Sequence, residues 1–240
     1  MPSARWIPLE SNPEVLNSWA NKAGLVASQA QFEDVYGLDP ELLGMVSRPV
    51  NAVVLLFPIT DRLENKRKQE DAEFNKPGST PVDPTIFFIK QTISNACGTI
   101  GLLHALINSN VTIKPESPLA KFIDLCQEKT PEQRAQALET TPLFADIHAE
   151  AAQGGQSAVP RNLDTDLHFT CFVQAPPFDQ REETGSPARR LIELDGRRAG
   201  PLDRGPSDDL LMDVAKFVKE EYIAQSSSMN FSMMALGPGV

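Results

Sequence analysis

Four side chains have the chemistry that acyl transfer by a thiol nucleophile requires: Gln91, Cys97, His168 and Asp195. A free thiol has a pKa of about 8.5, but a cysteine at a helix N-terminus facing an imidazole can be held as the thiolate. His168 would take the thiol proton and return it to a leaving amine, while Asp195 would hold the imidazole ring. The Gln91 amide and the Cys97 backbone N–H would stabilise the oxyanion.

The same residue types also fit purely structural roles. A lone cysteine is most often a small buried residue, a histidine in an apolar strand is most often part of a core, and an Asp-Gly pair is most often a turn. Spacing alone therefore leaves the catalytic and the structural interpretations both open. Weaker candidates, which we interpret as structural or surface residues, are the other cysteines and histidines: Cys126, Cys171, His104 and His148.

The elements that must position these side chains follow from capping residues and hydrophobic spacing. Helices are predicted after Asn12, Asp39, Ser117, Thr130 and Ser207, and a buried one near Cys97. Strands are predicted at residues 32–36, 50–57, 167–173, 190–194 and 229–236. The strands at 167–173 and 190–194 could pair as a hairpin with an elongated tip. Intermixed helices and strands favour a single α/β or α+β domain over residues 1–240.

Two stretches are predicted to be mobile loops. Residues 61–84 are strongly charged and end in three prolines, which indicates a solvated excursion. Residues 149–165 contain Gly154 and Gly155 and almost no large apolar side chain, so they cannot bury enough surface to order well.

Composition excludes several classes of protein. The chain has 240 residues with 41% hydrophobic residues, so a packed core is expected. Lys+Arg 22 against Asp+Glu 32 gives a net charge of −10, which disfavours a nucleic-acid partner. With no apolar run of roughly 18 residues and no secretory signal, we expect neither a membrane partner nor secretion.

Motif searches leave few other kinds of chemistry. The three cysteines fit neither a disulfide framework nor a metal site, and their odd number suits a reducing cytoplasm or nucleus. The sequence contains no GxSxG, HExxH, P-loop or GxGxxG motif. We therefore expect no metal and no cofactor.

The segment QTISNACGTIGL at residues 91–102 resembles, almost letter for letter, the active-site segment of the ubiquitin carboxy-terminal hydrolases, peptidase family C12. Five other stretches resemble further signature segments of that family, in the right order. They are RWIPLESNPEV at 5–15, DVYGLDPELL at 34–43, NAVVLLFPIT at 51–60, DLHF at 166–169 and ELDGR at 193–197. The resemblance extends from about Arg5 to Leu236, and the chain is similar to the small single-domain members.

This resemblance implies a papain-like cysteine protease fold, with a central antiparallel sheet flanked by helices and a knotted backbone. It makes Cys97 the nucleophile, His168 the general base and acid, Asp195 its orienting partner and Gln91 an oxyanion donor. Residues 149–165 match the family's crossover loop, which spans the active-site cleft and limits what can pass through it. The resemblance also implies contacts with ubiquitin at Pro8, Leu9, Glu10, Ser11, Asn12, Pro13, Gly154, Gly155, Gln156, Ser157 and Phe231.

The activity implied is that of a deubiquitinating thiol hydrolase acting through an acyl-enzyme thioester. It would release small adducts or short peptides from the C-terminal glycine of ubiquitin, with a ubiquitin-like modifier as a second candidate partner. The alternative is a monomeric ubiquitin-binding protein that stabilises free ubiquitin with little turnover. We expect a monomer in either case.

Overall fold

A computed structural model describes residues 5–74, 76, 82–156, 162–178 and 188–239. A six-stranded antiparallel sheet runs through these residues in the order β1-β6-β2-β3-β4-β5. The strands are β1 (Ala30–Asp34), β2 (Ala52–Pro58), β3 (Leu167–Ala175), β4 (Arg190–Leu194), β5 (Leu202–Pro206) and β6 (Ser232–Pro238). The helices are α1 (Pro13–Ala23), α2 (Pro40–Leu43), α3 (Asp61–Glu73), α4 (Cys97–Ile107), α5 (Pro118–Cys126), α6 (Pro131–Glu139), α7 (Pro142–Gln153) and α8 (Leu210–Glu221).

Helices cover both faces of this sheet. The apolar stripe of α8, which includes Leu211, Val214 and Val218, packs on β2, β3 and β4. On the opposite face α4 packs against β2 and β3, and α1 packs against α7. Strand β2 is apolar along nearly its whole length because both of its faces are covered.

The predicted hairpin is present. Strands β3 and β4 pair antiparallel, with Cys171 opposite Leu194. The tip that joins them was predicted at residues 174–189; β3 extends to Ala175, and residues 179–187 lie outside the described residues. The terminal strand is also present, as β6, although it begins at Ser232 rather than at Met229.

The prediction of a mobile excursion at residues 61–84 is wrong for its first half, which forms α3. The Thr60 side chain caps this helix by accepting a hydrogen bond from the Leu63 N–H at 3.3 Å. Arg67 then pairs with Glu64 at 2.6 Å and with Asp71 at 2.8 Å, one helical turn away on either side. Ion pairs thus order a helix whose only buried side chain is Leu63. Residues 75 and 77–81 lie outside the described residues.

The predicted loop at residues 149–165 begins later than expected, because α7 continues to Gln153. Alanine is the strongest helix former, and Ala151 and Ala152 lie on the buried face of the last turn. The irregular segment therefore starts at Gly154, and residues 157–161 lie outside the described residues. Strand β5 and the first half of α7 were not predicted at all.

None of the described helices is long and apolar enough to cross a membrane.

Candidate active site

The nucleophile candidate Cys97 is the first residue of α4 and is 8% exposed. Close packing at this helix start requires glycine at position 98, because an added Cβ would lie 2.9 Å from Leu9 Cδ1. The preceding turn contains Asn95 in the left-handed region at φ 63°. The Asn95 side-chain amide donates to the carbonyls of Trp6 at 2.9 Å and Leu163 at 3.0 Å. The turn before the thiol is therefore fixed from two sides.

His168 and Asp195 come together through the β3–β4 pairing. His168 is the second residue of β3, and Asp195 directly follows β4. Both residues are 3% exposed, and His168 Nε2 lies 2.6 Å from Asp195 Oδ1. The Arg197 backbone N–H donates to the same Oδ1 at 2.9 Å, which fixes the carboxylate.

The thiol of Cys97 is coupled to this pair across the contact between α4 and β3: His168 lowers the thiol pKa, and the thiol in turn raises the pKa of His168. Because Asp195 occupies Nε2, Nδ1 is the ring nitrogen left for the sulfur. The Phe57 ring packs edge-on against the imidazole, with the ring centroids 5.6 Å apart.

These contacts shift the pKa values of all three groups toward their charged forms. Burial raises the pKa of the Cys97 thiol, but the hydrogen bond and charge of His168 outweigh it, and the net pKa is lowered. Burial lowers the pKa of His168, whereas the Asp195 charge and hydrogen bond raise it well above its ordinary value. For Asp195 burial raises the pKa and His168 lowers it, so the carboxyl stays ionised. At neutral pH the arrangement favours a thiolate beside an imidazolium.

Gln91 lies beside the turn that follows Asp195. Its backbone N–H donates to the Gly196 carbonyl at 2.9 Å, and an added Cβ on Gly196 would lie 3.1 Å from that same nitrogen. The Gln91 side-chain amide donates to the Ile93 carbonyl at 3.3 Å. Its buried Oε1 has no hydrogen-bond partner in the part of the chain that the structure describes. Among the described residues, one long hydrogen bond therefore holds this side chain.

The other two histidines are buried and neutral. His104 Nε2 accepts from the Ile89 N–H at 3.0 Å, and its Nδ1 donates to the Leu194 carbonyl at 3.2 Å. His148 Nδ1 lies 2.9 Å from the Thr99 hydroxyl. Burial lowers the pKa of both histidines to about 4. The sequence indicated a structural or surface role for each, but their partners are distant in the chain and left no local signal.

The segment at residues 8–13 runs beside α4 and has two kinds of side chain. Leu9 is 5% exposed, and the Asn12 side chain caps α1 by accepting from the Val15 N–H at 2.9 Å. Pro8, Glu10 and Ser11 are half-buried. The structure therefore turns Leu9 inward and leaves the latter three partly accessible.

Two of the other regions predicted to contact ubiquitin, at Gly155 and at Phe231, lie close to this segment. Gly154 and Gln156 are exposed, and Gly155 is packed so closely on Glu10 that an added Cβ would lie 2.1 Å from the Glu10 carboxylate. Ser157 lies outside the described residues. Half-buried Phe231 lines a groove of about 210 Å³. The Ser11 hydroxyl donates to that of Ser232 at 3.0 Å, which joins the N-terminal segment to the start of β6.

A family model described as ubiquitin carboxyl-terminal hydrolase, family 1, matches residues 6–224. The chain belongs to this family. Ubiquitin carboxyl-terminal hydrolase 3 of Arabidopsis thaliana is 39% identical over 238 residues, covering 98% of this chain and 94% of that protein. Ubiquitin carboxyl-terminal hydrolase isozyme L1 of Rattus norvegicus is 38% identical over 233 residues, covering 95% and 96%.

Solved structures support the same assignment at the level of fold. The catalytic domain of Trichinella spiralis UCH37, in a crystal structure bound to ubiquitin vinyl methyl ester, superposes with a TM-score of 0.72 at 23% identity. The match covers 99% of this chain and 97% of that one. The papain-like fold and the cysteine-type hydrolase class predicted from the sequence are thereby confirmed. The knotted backbone and the cytoplasmic or nuclear location stay predictions.

Proposed function

We propose that this family member cleaves amide and ester bonds at the C-terminal glycine of ubiquitin, with Cys97, His168 and Asp195 as a catalytic triad. The observation that carries the proposal is the buried hydrogen bond between His168 and Asp195 at 2.6 Å, together with the coupling by which this histidine lowers the pKa of the Cys97 thiol. A lowered thiol pKa beside a protonated imidazole is the state that a cysteine nucleophile needs.

In the first half of the reaction the Cys97 thiolate attacks the carbonyl carbon of the terminal glycine. The negative charge that develops on the carbonyl oxygen is stabilised by the Cys97 backbone N–H at the start of α4 and by the Gln91 amide. Rotation of the weakly held Gln91 side chain away from the Ile93 carbonyl frees its donor. His168 Nδ1–H then protonates the leaving amine or alcohol, and a thioester remains on Cys97.

In the second half His168, now neutral, removes a proton from water as the water attacks the thioester carbonyl. The bond from carbon to sulfur breaks, free ubiquitin leaves, and the proton taken from water restores the imidazolium beside the thiolate. Asp195 stays ionised throughout and holds Nε2–H, so the ring keeps the orientation that both halves use.

Ubiquitin would bind across Pro8, Glu10 and Ser11, which are half-buried, and the groove beside Phe231. The net charge of −10 favours a ubiquitin tail that carries arginines. Release of small adducts and short peptides, and acceptance of a ubiquitin-like modifier, are part of the proposal. So are a monomeric state and a location in the cytoplasm or nucleus.

The test is the initial rate of hydrolysis of ubiquitin carrying a fluorogenic amide at its C-terminus. Cys97→Ala is expected to abolish turnover while ubiquitin still binds, since the substitution removes only the sulfur. Cys126→Ala is the matched control, because this thiol is also buried yet lies on α5, and the variant should retain the rate of the unmodified protein.

Two results would count against the proposal. Turnover that survives Cys97→Ala would remove this residue as the nucleophile. Tight ubiquitin binding without turnover by the unmodified protein would favour the alternative, a protein that retains and stabilises free ubiquitin.

A further inference from the structure

The histidine on α7 joins two segments that flank the nucleophile. His148 is 1% exposed, and its Nε2 donates to the Ile7 carbonyl at 2.6 Å. Its Nδ1 accepts from the hydroxyl of Thr99, which lies on α4 two residues after Cys97, at 2.9 Å. A neutral imidazole has one donor and one acceptor pointing in different directions, and here both are used. The ring therefore forms a bridge between Ile7 and α4.

The segment on the far side of this bridge is the N-terminal strip, which we define as residues 5–12. The strip has no helix or strand of its own. Its Trp6 ring lies against the His148 ring at 4.4 Å between centroids, and the Trp6 backbone N–H donates to the Ser94 carbonyl at 3.1 Å. Leu9 packs on Gly98. The strip is thus held by contacts with the residues around Cys97 and with His148, and further along by the Ser11–Ser232 hydrogen bond and the Arg5–Asp164 ion pair.

We propose that His148 is a positioning residue that fastens the N-terminal strip to the nucleophile helix, so that the strip is ordered before ubiquitin arrives. The inference rests on the proposed function, in which Pro8, Glu10 and Ser11 contact ubiquitin. A segment without regular structure that was loose in the free protein would lose conformational freedom on binding, and a segment that is already fixed avoids that cost. The bridge therefore acts on affinity for ubiquitin and not on the chemical step.

The charge state of His148 suits this role. Burial lowers its pKa to about 4, so the ring stays neutral across the physiological range and keeps its single acceptor for Thr99. The ring faces backbone and hydroxyl groups rather than a carboxylate, unlike His168. The bridge is consequently permanent near neutral pH.

Thr99→Val tests the bridge with little change in volume, since it removes only the hydroxyl that donates to Nδ1. Thr170→Val is a matched control because Thr170 is equally buried and follows His168 by two residues. The Thr170 hydroxyl has no hydrogen-bond partner among the residues that the structure describes. His148→Phe is the stronger variant, since it keeps a ring beside Trp6 and removes both hydrogen bonds.

Two measurements decide the proposal. Hydrogen exchange of the backbone amides of residues 5–12 is measured on the free protein, and KM and kcat are measured on ubiquitin with a fluorogenic amide. In Thr99→Val we expect exchange in the strip to be faster and KM to rise about five-fold with kcat within two-fold, the size of one lost buried hydrogen bond. His148→Phe should raise KM further, and Thr170→Val should change neither quantity.

The outcomes separate this inference from the proposed function. Unchanged exchange in the strip of Thr99→Val would overturn the bridge, and so would a fall in kcat with KM unchanged. If the unmodified protein did not hydrolyse ubiquitin at all, the proposed function would fail. The exchange result and the dissociation constant for ubiquitin would still decide the role of His148. Thr99→Val also covers the case in which His148→Phe does not fold.

Discussion

Two consecutive residues at the end of β4, Leu194 and Asp195, each bind a buried histidine. The two histidines differ in charge. His168 binds the carboxylate of Asp195, and His104 binds the carbonyl of Leu194. His168 is 3% exposed and His104 is 0% exposed, so desolvation disfavours the imidazolium in both. Nevertheless burial lowers the pKa of His104 to about 4, whereas Asp195 raises that of His168 above its ordinary value.

The difference teaches that burial alone does not set the charge of a histidine. His104 has one donor and one acceptor from the backbone, the Leu194 carbonyl and the Ile89 N–H, which suit only a neutral ring. The Phe88 ring stacks on it at 5.3 Å. His104 thereby ties the end of β4 to α4, the helix that begins with Cys97. The neutral His104 links structural elements around the site, and the charged His168 stabilises the thiolate of Cys97.

The largest effect is expected from Asp195→Asn, which removes the charge that separates the two histidines. The pKa of His168 should fall, and the pKa of Cys97 should rise because its imidazolium partner is lost. An asparagine can also donate to Nε2 and so impose the wrong tautomer. We expect kcat/KM on ubiquitin amides to fall about 10³-fold. The protein should remain folded, so the loss of rate is not caused by unfolding.

The pH dependence of Cys97 alkylation by iodoacetamide checks the cause of that loss. In the unmodified protein the thiol pKa is lowered, so the alkylation rate should have its inflection below the ordinary thiol value of about 8.5. In Asp195→Asn the inflection should move to higher pH. An inflection that did not move would mean that Asp195 is not the source of the imidazolium.

A smaller effect, on stability rather than chemistry, is expected from His104→Phe. Phenylalanine keeps the stacking on Phe88 but leaves the Ile89 N–H and the Leu194 carbonyl without their partner. We expect the free energy of unfolding to fall by about 1–3 kcal/mol, as for buried polar groups that lose a hydrogen bond. Denaturant unfolding measures this loss.

The alkylation profile is the control for His104→Phe. It should keep the inflection of the unmodified protein, because His104 has no direct bond to the thiol or to the carboxylate. A shift like that of Asp195→Asn would show that His104 also influences the charge of the Cys97 thiol. The contrast between a structural and a charged histidine would then be wrong.

Much of the fold around the candidate site can be predicted from the sequence. Strand β2 and helix α4 are apolar along their lengths, and α8 has an apolar stripe, so hydrophobic spacing was enough to place them. The roles proposed for Cys97 and His168 are what the resemblance implies, since spacing alone leaves them open. The structure adds which ring nitrogen of each histidine faces which partner, and neither spacing nor resemblance indicates this.

Two of the elements that the sequence did not predict, α3 and β5, depend on distant polar partners for their stability. Helix α3 has one buried apolar residue, and its carboxylates pair with arginines that follow β4: Glu64 with Arg197, and Glu70 with Arg204. More than 120 residues separate the partners in each pair. Strand β5, at the edge of the sheet, is half-exposed over most of its length and contains Gly205 at φ 116°. Hydrophobic spacing detects burial, and neither element has much of it.

The smallest effect is expected from Arg67→Met. This substitution tests the contact between α3 and the turn that follows Asp195. Arg67 is bound to Glu64 through Nη2 at 2.6 Å, to Asp71 at 2.8 Å and to the Arg197 carbonyl at 3.3 Å. Its loss leaves Glu64 paired with Arg197, so we expect the free energy of unfolding at pH 7 to fall by only about 1 kcal/mol. The alkylation profile of Cys97 should not change.

The sign of the pH dependence sharpens this prediction. The hydrogen bond from Arg67 is the main cause that lowers the pKa of Glu64 to about 2. A lowered carboxyl pKa stabilises the fold above the unfolded value of about 4.3 and stops doing so as pH falls toward 2. The difference in stability between the unmodified protein and Arg67→Met should therefore shrink over that range.

Lys66→Met is the matched control, because Lys66 lies on the same helix and pairs with Glu221 of α8, and at 3.9 Å with Glu70, but not with Glu64 or Asp71 among the described pairs. The pair with Glu221 is about one-third exposed, so its loss should cost no more than about 0.5 kcal/mol. Equal losses in the two variants would mean that α3 is not held through Arg67. If the inflection of Cys97 alkylation shifted in Arg67→Met, the charge of His168 would depend on α3 as well as on Asp195.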